Sequence, residues 1–235
     1  MIKEDKKILI LSIIIPTLNE SKNLPLLLSD LSELNNKFEI LIVDSSSKDK
    51  TRDIALINGT RFYKMNNNNR GLQLNYGAKK ARGKWLLFIH ADSRLNYNWS
   101  KEIINIIKEE SNFIYHFNFK INNNFFTYRF LEFFVNLRCL LFKTPYGDQG
   151  LLINKENFKN HGGYKTIPLM EDFDFISRIN KKNLRSLRTP IFTSSRKWDE
   201  INFVRQSLKN WYLRRLMRKG YSINRIYKKY YKISK

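Results

Sequence analysis

The sequence contains one cysteine, Cys139, which excludes an architecture stapled by intramolecular disulfides. Glycine and proline are also scarce, at nine and five of 235 residues, which excludes collagen-like chains. No apolar run reaches the roughly 18 to 20 residues of a membrane-spanning helix, because Glu132 and Arg138 interrupt the richest stretch. With 42% hydrophobic residues, the chain is expected to fold as a globular protein. Because its single cysteine cannot form an intramolecular disulfide, a reducing compartment, the cytoplasm, is expected.

Acidic residues are in short supply, because 21 Asp and Glu face 43 Lys and Arg and leave a net charge of +22. Such an excess favours a polyanionic partner: nucleic acid, an acidic membrane surface or a phosphate-rich small molecule. AT-rich coding would raise the Lys and Asn counts as well, so charge alone does not decide. No RNA-binding module or helix-turn-helix signature is visible, and nucleic acid is therefore not the expected partner.

Strand and helix patterns alternate over the first 95 residues. Short β-branched and apolar runs predict four strands, at Ile8–Ile15, Phe38–Val43, Thr60–Lys64 and Lys84–Ile89. Helical patterns between them start near Leu24, Asp49 and Gly71. This βαβαβαβ series predicts an α/β fold with an open, mostly parallel sheet and helices on both faces.

The second half loses this alternation. Residues 113–142 are strongly aromatic and predict strands mixed with one amphipathic helix. A strand is expected over 149–154, a helix over 171–183, and a helical tail from Ile201 with a break at Gly220. We expect one domain over residues 1–200, divided near residue 95 into a nucleotide-binding half and an acceptor half. Residues 201–235 would then form a basic helical extension.

Polar residues follow three of the predicted strands. They are Thr17, Asn19 and Glu20 after the first strand, Asp44 to Ser47 after the second, and His90 and Asp92 after the fourth. Because ligands of open α/β sheets lie at the carboxyl ends of the strands, these loops are expected to meet at one binding edge. The alternative for any one loop is that Asp and Ser only cap the next helix.

Five short motifs occur in an order that resembles the family 2 glycosyltransferases. They are SIIIPTLNE from Ser12, IVDSSSKDKT from Ile42, HADS from His90, GDQG from Gly147 and MEDFD from Met170. The chain is similar to a small bacterial subgroup with H-A-D at the metal motif and a later S-x-R-x-W run. The resemblance implies the GT-A fold and inverting transfer of a sugar from a nucleotide sugar to an acceptor hydroxyl or carboxyl.

The resemblance also implies a donor site. Asp44 would read the imide of the base, with Thr17 and Glu20 beside the base and ribose. Arg70 and Gln73 belong to a stretch similar to the family's R-x-x-Q/A-x-N-x-G motif, in which a guanidinium can pair with phosphate. The full set of donor residues is Pro16, Thr17, Asn19, Glu20, Asp44, Ser45, Arg70, Gln73 and Asn75. The alternative for Arg70 is a solvated loop charge.

Asp92 is the candidate metal ligand, for Mg²⁺ or Mn²⁺. Mg²⁺ takes few protein carboxylates and completes its shell with water and phosphate oxygens, so one Asp beside a diphosphate suffices. His90 stands where the commoner D-x-D pattern has an acidic residue, which leaves less protein charge at the site. We interpret His90 as a hydrogen-bonding pocket residue.

The resemblance makes Asp172 the general base and Glu171 its neighbour. A carboxylate within reach of the acceptor hydroxyl can remove its proton, and the start of a helix favours the ionised form. The alternative is that both acids only cap the helix. Asp148 is a second candidate for the base and is assigned to acceptor binding or loop shaping. Gln149, Arg196 and Trp198 are assigned to the leaving group or acceptor. Outside these motifs, the remaining candidates are interpreted as structural: His116, His161 and Cys139.

Other classes of function and the acceptor stay open at this point. The alternatives are a nucleic-acid-binding basic protein and a nucleotidyltransferase on a similar sheet, although the latter would prefer a glycine-rich phosphate loop after the first strand. The aromatic acceptor half favours a lipid or another small molecule with a ring. Residues 196–235 carry a net charge of +11, and Leu208, Trp211 and Tyr212 lie near four Arg and Lys. This tail is expected to dock on the anionic inner face of the cell membrane, or else to pack on the domain.

Overall fold

The fold was derived from a computed structural model that describes residues 10–32, 38–123, 125–193 and 203–232. Within these ranges the strands form one eight-stranded sheet in the order β3-β2-β1-β4-β7-β6-β8-β5. Their bounds are β1 Leu11–Thr17, β2 Phe38–Asp44, β3 Arg61–Lys64, β4 Trp85–Phe88, β5 Ser93–Leu95, β6 Ile114–Ile121, β7 Leu151–Asn154 and β8 Leu184–Thr193. The first four strands are mutually parallel, whereas β7 and β5 are antiparallel to their neighbours. The predicted α/β open sheet is confirmed.

Helices flank this sheet. Their bounds are α1 Leu24–Leu31, α2 Thr51–Ile57, α3 Arg70–Lys80, α4 Trp99–Lys108, α5 Phe126–Phe142, α6 Lys155–Asn160, α7 Glu171–Arg178, α8 Phe203–Arg218 and α9 Ile223–Lys232. Alternate residues of β1 explain why both faces are covered. Ile13 and Ile15 belong to a core that contains α1 and α4, whereas Ile14 belongs to a second core with α3 and α7. No helix among the described residues is long and apolar enough to cross a membrane.

Several elements differ from the sequence predictions. The helix that starts at Glu171 ends at Arg178, and a short 3₁₀ turn covers Lys181–Asn183. The predicted strand at 149–154 begins only at Leu151, because Gly147–Gln149 form another 3₁₀ turn. The sequence analysis did not identify β5, α4 or β8. Strand β8 could not be predicted from the sequence pattern, because its buried and exposed residues do not alternate and it contains Pro190.

The tail folds as two helices that pack beside the site. A third apolar cluster joins Leu213 and Leu216 of α8 and Ile226 of α9 to Met170 and Phe173 of the 170–173 segment. Gly220 lies between the helices with φ +77°, which confirms the predicted break. The apolar residues of the tail that face the domain therefore pack on it, which was the second of the two expectations for the tail.

Candidate active site

The carboxyl ends of β1 and β2 are tied together through Asp44. Its Oδ1 accepts a hydrogen bond from Thr17 Oγ1 at 2.8 Å, and its Oδ2 accepts one from the Ser47 backbone N–H at 2.8 Å. Gln73 of α3 donates to the carbonyl oxygens of Thr17 at 3.0 Å and Val43 at 2.7 Å. All three polar side chains are buried. Asp44, Thr17 and Gln73 therefore form one rigid group at this edge.

The loops after β1 and β2 are joined by hydrogen bonds between side chains and backbone N–H groups. Asn19 has a left-handed φ of 56°, and its Oδ1 accepts from the Lys48 N–H at 2.9 Å. The Asn19 N–H donates to Ser47 Oγ at 2.8 Å. Ser45 Oγ donates to the Asn67 carbonyl at 2.9 Å, which links this edge to the loop before α3. Two of the three loops expected to meet at this edge, those after β1 and β2, are thus in direct contact.

The remaining two donor candidates of this region lie in or directly after β1. Pro16 lies in β1 opposite Val43 and, as a proline, has no N–H to donate. The Glu20 backbone N–H donates to Thr51 Oγ1 at 2.9 Å, and its Oε2 accepts from Asn23 Nδ2 at 2.6 Å. Both residues thus lie at the carboxyl end of β1 beside Thr17.

Arg70 connects the start of α3 to the start of α7. Its Nε donates to Glu171 Oε1 in a close ion pair, and its Nη2 lies 3.7 Å from Asp172 Oδ2. Its Nη1 lies 3.3 Å from His90 Nε2. Adjacent Gly71 lets the start of α3 lie against the backbone of Lys165, because a Cβ there would lie 2.4 Å from the Lys165 carbonyl oxygen. Arg70 is therefore part of a partly buried charge cluster, which the solvated-loop alternative does not describe.

The Asp172 carboxylate is fixed by two backbone donors. Gly147 N–H donates to Oδ2 at 2.7 Å and Phe173 N–H to Oδ1 at 2.7 Å. Burial raises the pKa of Asp172, but the Arg70 guanidinium and these N–H groups outweigh it and bring the pKa below its ordinary value. Glycine at 147 leaves room for this contact, since a Cβ there would lie 3.0 Å from His90 Nε2 and 3.1 Å from Asp172 Oδ2. Asp172 is therefore held ionised at neutral pH.

A pocket of about 480 Å³ opens beside this carboxylate. It brings together four of the predicted site residues from separate parts of the chain: Arg70, Asp92, Asp148 and Asp172. The other lining residues are His90, Tyr146, Leu169, Met170, Phe173, Thr193, Gln206, Asn210, Arg214 and Tyr230. The volume lies within the usual range for small-molecule sites.

Asp92 and His90 form the polar wall of this pocket nearest to β4. The Asp92 Oδ1 lies 4.0 Å from His90 Nδ1. Among the described residues there is no group of three or more His, Cys, Asp or Glu side chains that could hold a metal ion. Asp92 can supply one carboxylate, so these residues fit a Mg²⁺ or Mn²⁺ ion whose other ligands are water and phosphate oxygens.

Two predicted binding residues have their polar groups engaged within the protein. Asn75 exchanges hydrogen bonds with the backbone of Tyr164, at 2.6 Å and 2.9 Å, away from the pocket. Gln149 is fully buried, and its Oε1 accepts from the Tyr146 N–H at 3.3 Å while its Nε2 donates to the Phe117 carbonyl at 3.3 Å. Both hold loops that border the site. The remaining predicted pair, Arg196 and Trp198, lies outside the described residues.

The sequence analysis missed the contribution of the tail to the pocket. Arg214 of α8 lies 4.4 Å from the centroid of the Tyr146 ring, and Arg138 of α5 lies 3.8 Å from it. Tyr230 of α9 lines the same pocket. The paired apolar residues Leu213 and Leu216 were the available signal, since their spacing predicts a face that packs on the domain.

The three residues interpreted as structural lie outside this pocket. Burial lowers the pKa of His116 to about 4, with a smaller contribution from Lys143. His161 Nδ1 lies 2.8 Å from the Asn157 carbonyl oxygen, and Cys139 is buried within α5. Their structural role stays a prediction.

Comparison with known proteins adds to this geometry. The sequence profile described as Glycosyl transferase family 2 matches residues 12–174, so the chain belongs to this family. An uncharacterized glycosyltransferase of Haemophilus influenzae is 30% identical over 194 residues, which cover 78% of this chain and 64% of that protein. The 4,4'-diaponeurosporenoate glycosyltransferase of Staphylococcus haemolyticus is 36% identical over 40% of this chain and 27% of its own length. The chain thus spans less than two thirds of these relatives.

Solved structures share the fold at low sequence identity. TarS 1-349 of S. aureus in complex with UDP-GlcNAc has a TM-score of 0.64 at 18% identity, over 79% of this chain and 58% of that one. The mannosyltransferase PcManGT from Pyrobaculum calidifontis in complex with GDP-Man and Mn²⁺ has a TM-score of 0.61 at 17% identity, over 78% and 56% of the two chains. The GT-A fold that the resemblance implied is confirmed.

Replacing Asp44 tests the proposed donor edge. We expect Asp44→Ala to raise the KM for a nucleotide sugar by at least about tenfold and to lower kcat less, because a base contact is largely uniform binding. Steady-state kinetics measure this, with exposed Asp53→Asn on α2 as the control. Because Asp44 also holds Thr17 and Ser47, the thermal midpoint is measured alongside. A fall confined to kcat would show that Asp44 acts in the chemical step.

Proposed function

We propose that this protein transfers a glycosyl group from a nucleoside diphosphate sugar to an acceptor hydroxyl or carboxyl with inversion at the anomeric carbon. The observation that carries the proposal is the pocket in which the ionised Asp172 carboxylate faces the same space as Asp92 and Arg214. Family membership supports the class of reaction. The relatives named with UDP-GlcNAc and GDP-Man support the class of donor.

In this mechanism Asp172 is the general base. As the acceptor oxygen attacks the anomeric carbon, the carboxylate takes its proton, the new C–O bond forms and the nucleoside diphosphate departs. The two backbone N–H groups of Gly147 and Phe173 orient the carboxylate for this step. Glu171 acts through Arg70, which it holds in place beside Asp172.

The nucleotide would lie across the carboxyl ends of β1 and β2. Asp44 accepts from the base imide, and Thr17, Glu20 and the 44–47 loop enclose base and ribose. Arg70, at the start of α3, lines the pocket, where a guanidinium can pair with phosphate. Arg214 of α8, which also lines the pocket, would face charge on the leaving group or acceptor.

Asp92 is the residue that would hold a divalent ion together with the donor diphosphate. Such an ion, when bound, neutralises charge on the departing diphosphate. The chain's own contribution is the single carboxylate and the nearby imidazole of His90. Metal binding is therefore expected to depend on the donor.

A panel of nucleotide sugars tests the proposed reaction. Hydrolysis and transfer to simple acceptors are measured with UDP-, GDP- and dTDP-linked sugars, each with Mn²⁺, with Mg²⁺ and with chelator. We expect turnover of one donor class, with the anomeric configuration of the product inverted by NMR. Retention of configuration, or no turnover of any donor, would overturn the proposal.

Replacement of Asp92 tests the metal site. We expect Asp92→Ala to weaken donor binding in Mn²⁺ by at least about tenfold, because the remaining ligands are water and the diphosphate. Binding in chelator should change little. Isothermal titration calorimetry with the donor and with the nucleoside diphosphate measures both. Equal affinities of variant and wild type in Mn²⁺ would remove Asp92 from the metal site.

We also propose that the tail contributes to a peripheral position on an anionic membrane, where a lipid or other small-molecule acceptor would be met. Helix α8 exposes Leu208, Trp211 and Tyr212, although its Leu213 and Leu216 are buried against the domain. Arg215 on the same helix is exposed. Aromatic and basic side chains together suit the headgroup boundary.

A further inference from the structure

Helix α5 presents an unusually apolar outer face. Beginning with Phe125 just before the helix, eight large apolar side chains are between 52% and 74% exposed. They are Phe125, Phe126, Phe130, Phe133, Phe134, Leu140, Leu141 and Phe142. Phe126, Phe130, Phe133 and Phe134 follow the helical repeat, so they share one side of the helix. We refer to these eight residues as the α5 face.

The side of α5 that faces the protein carries both polar and apolar side chains, the apolar ones being Tyr128, Leu131 and Val135. Asn136 exchanges two hydrogen bonds with the backbone of Phe119, at 2.9 Å and 3.0 Å. Buried Glu132 accepts from the Ile121 N–H at 2.7 Å and pairs with Arg129 at 2.7 Å. These side chains pair with backbone groups of β6 much as a neighbouring strand would. A helix of a globular protein normally leaves its polar side exposed, whereas α5 buries a mixed side and leaves its Phe-rich side exposed.

The α5 face is larger than a solvated surface normally tolerates. Six Phe and two Leu, each more than half exposed, present on the order of 900 Å² of apolar surface. The largest apolar patch of a typical monomer is about 300–600 Å² and is often functional. The face therefore calls for a cover of low polarity.

Charge selects among the candidates for that cover. Between residues 111 and 147 the one acidic residue is Glu132, which is buried and paired with Arg129, and the other charged residues, Lys120, Arg138 and Lys143, are all basic. A second copy of the chain would bring two proteins of net charge +22 together. An anionic bilayer would attract the same surface, and Phe and Leu suit insertion below its headgroups.

The α5 face is also close to the pocket along the chain. Helix α5 ends at Phe142, and four residues later Tyr146 lines the pocket. Four residues span at most about 14 Å. Arg138 of α5 lies 3.8 Å from the centroid of the Tyr146 ring, which joins the helix to the pocket wall. A surface covering α5 would therefore lie near the acceptor side of the site.

We infer that the α5 face is the main membrane-contacting surface of this protein and lies in the headgroup region of an anionic bilayer. The helix lies in the plane of the interface and presents the pocket to an acceptor carried by lipid. This inference deepens the proposed function. The part that rests on the proposed function is that the acceptor is carried by a lipid. Contact with the bilayer stands on the α5 face itself.

Co-sedimentation with vesicles tests the contact. Wild type is compared with Phe133→Ser/Phe134→Ser on vesicles of phosphatidylcholine with and without phosphatidylglycerol. We expect wild type to bind the anionic vesicles and the double variant to partition at least about tenfold less, because two Phe side chains no longer enter the interface. No binding by wild type, or equal binding by the double variant, would overturn the inference.

A matched control pair lies on α2. Leu56 and Ile57 are adjacent on a helix and are also exposed, at 48% and 85%. Leu56→Ser/Ile57→Ser should bind vesicles as wild type does. Leu208→Ser/Trp211→Ser reports on the tail and should reduce binding less than the α5 variant. If the tail variant abolishes binding while the α5 variant does not, the tail is the contact and the inference is wrong.

Labelling gives a readout that does not depend on losing a function. The chain has one cysteine, Cys139, which is buried, so Phe133→Cys and Ile57→Cys can be labelled selectively with an environment-sensitive fluorophore. We expect a blue shift on anionic vesicles for the label at 133 and none at 57. Light scattering supplies the competing outcome. A wild-type dimer that Phe133→Ser/Phe134→Ser makes monomeric would assign the face to a second copy.

Donor hydrolysis without vesicles separates this inference from the proposed function. The α5 face lies outside the pocket, so Phe133→Ser/Phe134→Ser should hydrolyse the donor at the wild-type rate. Lost vesicle binding with retained hydrolysis supports both proposals. Wild-type vesicle binding without hydrolysis of any donor would overturn the proposed function and leave the membrane contact standing.

Discussion

Asp172→Asn is expected to lower glycosyl transfer by at least about 10²-fold while donor affinity stays within about twofold of wild type. The amide keeps the shape of the side chain and its oxygen can still accept one of the two backbone N–H bonds, but it cannot accept a proton from the acceptor. The two backbone N–H groups and Arg70 stabilise the ionised form of Asp172, so the wild-type side chain is a carboxylate that is ready to accept a proton. Single-turnover transfer and calorimetric donor binding measure the two quantities.

The control for this variant is Asp53→Asn, which removes an exposed carboxylate in the first turn of α2. It should leave transfer and donor binding unchanged. Glu171→Gln is expected to be intermediate, since Glu171 would act by holding Arg70. If Asp172→Asn transfers at near the wild-type rate, the base must be sought elsewhere in the pocket, and Asp148 is the next carboxylate to test.

The first half of the chain was predictable because its signals are local. A buried parallel strand reads as a continuous apolar run, as in β1, and each such strand is followed by polar residues that the topology brings to one edge. The predicted strands β1 to β4 end within two residues of the observed ones. The motif order then located Asp44, Asp92 and Asp172 on the candidate site without any knowledge of their contacts.

The second half was less predictable because its elements depend on distant partners. Strand β5 has three residues and is defined by its pairing with β8, about 100 residues later. Helix α5 is held on β6 by hydrogen bonds that Asn136 and Glu132 accept from β6 N–H groups, together with apolar contacts of Tyr128 and Leu131, and apolar periodicity does not reveal the polar part. Periodicity alone would turn the Phe-rich side toward the core.

The roles expected of Gln73, Asn75 and Gln149 show a related limit. A motif places a residue near a site but does not say whether its side chain faces the ligand or supports the loop. Gln73 bonds to the carbonyl oxygens of Thr17 and Val43, so it shapes the donor edge through the backbone. Whether such a side chain bonds to a ligand or to the backbone depends on which donors and acceptors are buried beside it, and burial is a property of the assembled fold.

Arg70→Ala is expected to lower the free energy of unfolding by about 3 kcal/mol, because it leaves the buried Glu171 carboxylate without its counter-ion. Asp172 would then lie next to a second carboxylate in the same poorly solvated site, and its pKa would rise as the Arg70 contribution is lost. The loss stays near the lower end of the range for buried pairs, since Arg70 itself is partly exposed and water can enter. Urea unfolding followed by circular dichroism measures the effect.

A double-mutant cycle distinguishes the ion pair from simple loss of packing. Arg70→Ala/Glu171→Gln removes the unpaired charge and should recover at least about half of the lost stability, whereas Glu171→Gln alone should cost less than Arg70→Ala. Arg52→Ala, at an exposed position on α2, is the control and should fall within about 0.5 kcal/mol of wild type. If the double variant is as unstable as Arg70→Ala, the guanidinium acts through packing of its stem on α7, and the electrostatic account of the cluster fails. If it recovers stability but not transfer, Arg70 has a second role in positioning Asp172.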